Sequence, residues 1–122
     1  MKAAVIGGGT WGSAFALHLG RLGVETRLWI REEDVFEQAL RSRENKAFLP
    51  GFVFPSNVSL FHDLEETVSS AKFIFFAVPS KFCRKIYQQL APHLSSAQAL
   101  ISLTKGIEEG TLKRMSEVMV EV

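Results

Sequence analysis

Short apolar runs and amphipathic stretches alternate along the chain, and each change of period marks a change of element. Residues 2–7 form a β-rich run ending on glycine, and residues 10–22 carry apolar positions at helical spacing. A second strand is expected over residues 24–30 and a second helix over 32–43, where Val35, Phe36, Ala39 and Leu40 recur at that spacing. Residues 44–59 lose the period, broken by Pro50-Gly51 and by Pro55. A short strand follows near residues 58–61. His62-Asp63-Leu64-Glu65-Glu66 then reads as a helix start, with Asp63 as N-cap and Glu66 three positions later. Phe73-Ile74-Phe75-Phe76-Ala77-Val78 is a continuous apolar run, the pattern of a central strand covered on both faces. The helix after Pro79-Ser80 has Phe82, Cys83, Ile86 and Leu90 on or near its apolar face, and Pro92 closes it. Residues 97–103 read as a fifth strand. A last helix from near Thr111 still shows its apolar repeat at Met115, Val118, Met119 and Val122.

This alternation predicts an α/β fold: a Rossmann-type doubly wound parallel sheet of order 3-2-1-4-5 with flanking helices. Five strands fall short of the roughly six that two mononucleotide-binding halves supply. Residues 1–122 therefore read as one incomplete domain, the front part of a longer protein. Missing later strands would leave an apolar sheet edge, so self-association, including a homodimer, is also expected.

The first strand runs into Gly7-Gly8-Gly9-Thr10-Trp11-Gly12, a G-x-G-x-x-G turn that opens the first helix. Gly7 permits the tight turn, Gly9 lets the backbone approach a pyrophosphate, and Gly12 lets the helix pack on the sheet. The helix N-terminus then faces the anion with free N–H groups and a positive dipole end. A strand before and a helix after turn a weak motif into a specific one: a dinucleotide site. Trp11 either covers the pyrophosphate or staples the turn to the core. Val78-Pro79-Ser80, after the fourth strand, is expected to run along the cofactor with Pro79 in its turn.

Composition narrows the alternatives. A net charge of +1 and a 47% hydrophobic content describe an ordinary globular domain, with no basic balance to suggest nucleic acid and no like-charge block to suggest an interaction tail. The longest apolar run, residues 73–79, is too short to insert across a membrane. The glycine turn also sits where a signal peptide needs an unbroken apolar stretch. The single cysteine, Cys83, has no internal partner and fits a reducing cytoplasm, as a small buried hydrophobe. His18, His62 and His93 are scattered without metal-ligand spacing. Phe48, Phe52 and Phe54 form either an adenine-side wall or a satellite core, with two of the three assigned to the core.

Arg31 stands just past the second strand, where an acid reads the ribose 2′-OH of NAD and an arginine suits the 2′-phosphate of NADP. Its planar fork favours NADP, although Glu32 and Glu33 follow at once and leave a surface ion pair as the other reading. Lys105 follows the fifth strand directly, at the carboxyl edge where open sheets bind ligands. It either orients a carbonyl, hydroxyl or phosphate, or is simply solvated.

Four separated segments resemble the N-terminal half of the bacterial NAD(P)-dependent glycerol-3-phosphate dehydrogenases. They are Gly7 to Gly12, Asn45-Lys46-Ala47-Phe48-Leu49-Pro50-Gly51, Ala77-Val78-Pro79-Ser80, and Lys105-Gly106-Ile107-Glu108. The resemblance implies hydride transfer between NAD(P)H and dihydroxyacetone phosphate, giving sn-glycerol 3-phosphate for phospholipid synthesis. It implies that Thr10, Trp11 and Arg31 contact the cofactor and that Lys105 lies where cofactor and substrate meet. The family's acid/base lysine belongs to a helical C-terminal domain. No residue here matches it, so this stretch is expected to hold cofactor without turnover. Two other readings stand beside it: a reductase of the 3-hydroxyacid or ketopantoate type, and a non-enzymatic NAD(H)-sensing module.

Overall fold

The computed structural model describes residues 2–103. Its strands are β1 (Lys2–Ile6), β2 (Glu25–Trp29), β3 (Val58–Phe61), β4 (Phe73–Phe76) and β5 (Ala99–Ser102). The helices are α1 (Thr10–Arg21), α2 (Glu33–Ser42), α3 (Leu64–Val68) and α4 (Ser80–Leu90). All strand pairs are parallel, in the order β3-β2-β1-β4-β5. The expected doubly wound sheet is therefore present. The final helix and Lys105 lie outside the described residues.

Side chains alternate across the sheet and fill two cores. Ala4 and Ile6 of β1 join Ile74 and Phe76 of β4 beneath Cys83, Ile86, Tyr87 and Leu90 of α4. Val5 turns the other way, with Leu28, Val58 and Leu60, beneath Ala16 and Leu17 of α1. This period of two is what lets one strand serve both layers. β4 is less evenly covered than its apolar run suggests. Ile74 and Phe76 are buried, but Phe75 is only half-buried, its ring 4.8 Å from that of Phe15. β4 also ends at Phe76, short of Val78, because Ala77 and Val78 already turn toward the glycine loop.

Helix starts follow local chemistry. Asp63 caps α3 by accepting from the Glu66 N–H at 2.9 Å, as its spacing predicts. In α2, Ala39 is buried and Val35 and Phe36 pack partly into the core, whereas Leu40 is exposed, since the helix closes over the sheet edge with a narrow stripe. Cys83 is fully buried, as its helix position predicts.

Tyr87 is buried beneath the sheet with its ring edge-on to Phe76, 4.9 Å between centroids. Its hydroxyl makes no hydrogen bond of normal geometry. Burial pushes the phenol far above its ordinary value; the neighbouring Cys83 adds to this, and Ser102 pulls weakly the other way. The folded chain thus disfavours ionised Tyr87 while an unfolded chain ionises it near pH 10. Stability linked to Tyr87 is complete below about pH 10 and falls as the pH rises beyond it. Tyr87→Phe should remove that alkaline loss, as denaturant titrations at pH 8 and pH 11 would register.

Candidate functional site

The carboxyl ends of β1 and β4 open on a cleft of about 780 Å³, well inside the usual size range of ligand pockets. Gly7 takes φ +125°, and a Cβ there would stand 2.7 Å from the Ala77 carbonyl oxygen. The turn thus packs on the chain leaving β4 with no room for a side chain. A Cβ on Gly12 would stand 1.7 Å from the Gly7 carbonyl oxygen, so α1 lies directly against its own turn.

Electrostatics favour an anion here. α1 starts at Gly9 with no side-chain cap and no acidic residue in its first turn. α4 starts at Pro79 in the same way. By contrast, α2 and α3 carry Glu33, Asp34, Glu65 and Glu66 in their first turns. Of the three helices whose N-terminal residues line the cleft, α1 and α4 are therefore the two whose positive ends no side chain offsets, whereas α2 brings its N-cap Glu32 to the rim. Gly9 lines the cleft, and a Cβ built there meets no protein atom within 4 Å. That open cradle fits a pyrophosphate approaching the backbone.

Of the residues singled out from sequence, Gly7, Gly9, Thr10, Trp11, Arg31 and Pro79 line this one cleft. Gly12 lies behind the turn and shapes it. Trp11 is 56% exposed, its ring 6.0 Å from that of Phe15, so it stands over the opening and is not a staple into the core. Arg31 lies 4.5 Å above the Phe82 ring and pairs with Glu32 at 3.2 Å. The ion-pair reading and the cleft position therefore hold together.

The aromatic cluster of the irregular stretch divides differently from expectation. Only Phe54 is in the core. Phe48 is half-exposed and lines the cleft, and Phe52 is exposed beneath the Arg21 guanidinium, 5.9 Å away. Residues 44–59 have no regular period, so nothing in the sequence fixes which side each ring takes. Glu44 pairs with Val53 and closes the stretch into a loop.

Sequence reasoning missed how this loop is held. Asn45 is fully buried; its Nδ2 donates to the Gly8 carbonyl at 2.7 Å and to Ser13 Oγ at 2.9 Å. Its Oδ1 accepts from the Phe48 N–H at 3.1 Å, and Thr10 Oγ1 donates to the Phe48 carbonyl at 2.9 Å. The glycine turn and the Phe48 wall are thus one hydrogen-bonded unit. Trp29, Lys81 and Phe82 also line the cleft unannounced. Trp29 is fixed by donating its Nε1–H to the His62 carbonyl at 2.9 Å. Its place as the last residue of β2 was the available signal.

Fold and cleft together define a Rossmann-type domain, the class of sheet that holds dinucleotides at this edge. Residues 2–122 match the family described as NAD-dependent glycerol-3-phosphate dehydrogenase N-terminus, and the chain belongs to that family. It is 41% identical over 121 residues to a glycerol-3-phosphate dehydrogenase (NAD(P)+) of Thermoanaerobacter sp. strain X514, covering 99% of this chain and 36% of that one. The corresponding protein of Carboxydothermus hydrogenoformans is 42% identical over 122 residues, covering 100% of this chain and 36% of the relative. The crystal structure of the Coxiella burnetii glycerol-3-phosphate dehydrogenase superposes with a TM-score of 0.94 at 28% identity, over 98% of this chain and 37% of that one. The chain thus spans about a third of the length of the relatives it matches.

Proposed function

We propose that this chain is the cofactor-holding part of an oxidoreductase that interconverts dihydroxyacetone phosphate and sn-glycerol 3-phosphate. The observation that carries the reading is the cleft itself, with two uncapped helix N-termini, the glycine turn and Arg31 around one opening. When bound, the nicotinamide supplies or accepts the hydride. The residues of this chain bind and orient. The N–H groups at the starts of α1 and α4 take the pyrophosphate, Trp11 and Phe48 cover it, and Arg31 reads the ribose. We assign NADP as the favoured cofactor on the fork geometry of Arg31. Lys105 is proposed to meet the substrate beside the cofactor, and the acid/base lysine is proposed to lie past Val122. The lone, buried thiol of Cys83 supports a reducing compartment, the cytoplasm.

Two measurements test this. The intact protein should oxidise NADPH on addition of dihydroxyacetone phosphate; no oxidation of NADPH or NADH would sink the assignment. Arg31→Ala should weaken NADPH binding about tenfold or more, since hydrogen bonds to charged groups are worth about 1.5–3 kcal/mol. NADH binding should change far less. Equal loss for both cofactors would remove Arg31 from the ribose site.

A further inference from the structure

The rim of the cleft holds a carboxylate to which hydride transfer gives no role. Glu32 Oε1 accepts from Arg31 Nη2 at 3.2 Å and faces Arg31 Nε at 3.4 Å. Both side chains line the cleft. The guanidinium is also laid over Phe82, whose ring Lys81 Nζ approaches at 5.1 Å. Nε and one Nη are a pair of donors that forks onto a phosphate, and here Glu32 already occupies that pair. A 2′-phosphate reaching Arg31 must either displace the carboxylate from the Nε–Nη2 edge or take the Nη1 side next to it, and in both cases it sits beside a negative charge. A 2′-hydroxyl meets the same carboxylate as a ready acceptor.

The neighbouring acids differ in kind. Glu33 and Asp34 occupy the first turn of α2, where they offset its dipole. Glu32 is the N-cap residue, yet its side chain makes no cap hydrogen bond. Its backbone carbonyl alone holds the turn, accepting from the Phe36 N–H at 2.9 Å. The carboxylate is therefore free of structural duty and committed to Arg31.

We propose that Glu32 is a specificity-determining residue: by occupying the guanidinium fork of Arg31 it penalises a 2′-phosphate and favours a 2′-hydroxyl. It thereby holds the preference for NADP over NAD below what Arg31 alone would impose. The inference rests on reading the cleft as the dinucleotide site.

The test is calorimetric titration of the intact protein with NADP+ and NAD+, before and after Glu32→Gln. That change keeps side-chain size and the backbone cap while removing the charge. The ratio of NADP+ to NAD+ affinity should rise about tenfold. In the double variant Arg31→Ala with Glu32→Gln the gain should vanish relative to Arg31→Ala alone, because no fork remains to be freed. An unchanged or falling ratio in Glu32→Gln, with both dinucleotides still bound, would overturn the proposal. So would a gain that persists without Arg31. An unsubstituted protein that binds neither dinucleotide would instead overturn the reading of the cleft.

Discussion

Replacing Gly12 by alanine should abolish dinucleotide binding and destabilise the domain by about 3 kcal/mol or more. The added methyl would sit 1.7 Å from the Gly7 carbonyl oxygen, 2.9 Å from its carbon and 3.3 Å from the Ala77 Cβ. Two of those three atoms are backbone, so no rotamer change relieves the clash. Either α1 lifts from the turn or the turn leaves β4, and both movements break up the N–H groups around the cleft. Gly9→Ala is the matching control. A Cβ there meets no protein atom within 4 Å, so the melting temperature should hold. Binding should still weaken, because Gly9 lines the opening proposed to take the pyrophosphate. Melting curves and cofactor titrations on both variants separate the two effects. A Gly12→Ala protein with unchanged melting would show that the turn is looser than its packing implies.

The contrast between these glycines shows what was legible in the sequence. The turn, its strand and its helix follow from local pattern: an apolar run, a G-x-G-x-x-G string, then helical spacing. The cap at Asp63 and the burial of Cys83 are equally local. What stayed hidden depends on partners distant in sequence. Phe82 falls near the apolar face of α4 by phase alone, and only the folded chain brings Arg31 across from the end of β2 to lie over it. Lys81 was unmarked for the same reason. The rings of Phe48, Phe52 and Phe54 lie in a stretch without period, so their sides were set by the loop's closure at Glu44 and Val53. The place of Arg31 on the cleft was legible from its position after the strand. Its geometry with Glu32 was not, because adjacent residues in an extended link can point together or apart.

Asn45→Ala should cost about 2–4 kcal/mol of stability and weaken cofactor binding with it. The amide is buried and makes three hydrogen bonds, to Gly8, Ser13 and Phe48. Removing it strands buried polar groups, each worth about 1–3 kcal/mol when unsatisfied. Ser13 Oγ still donates to the Gly8 carbonyl at 3.2 Å, which limits the damage on that side. The Phe48 N–H has no such second acceptor among the contacts that hold it, so the wall should loosen from the turn. Asn45→Asp separates hydrogen-bond chemistry from packing. The carboxylate can still accept from Phe48, but it turns an acceptor toward the Gly8 carbonyl where a donor stood. Burial and that carbonyl should raise its pKa above the unfolded value, so the variant is most stable below the unfolded pKa and loses stability as the pH rises through the folded one. A stability deficit against the parent that shrinks as the pH falls from 7 to 5 would mark the lost donor. A deficit independent of pH would mean that Asn45 fills space and nothing more, and that the glycine turn and the Phe48 loop are joined through Thr10 alone.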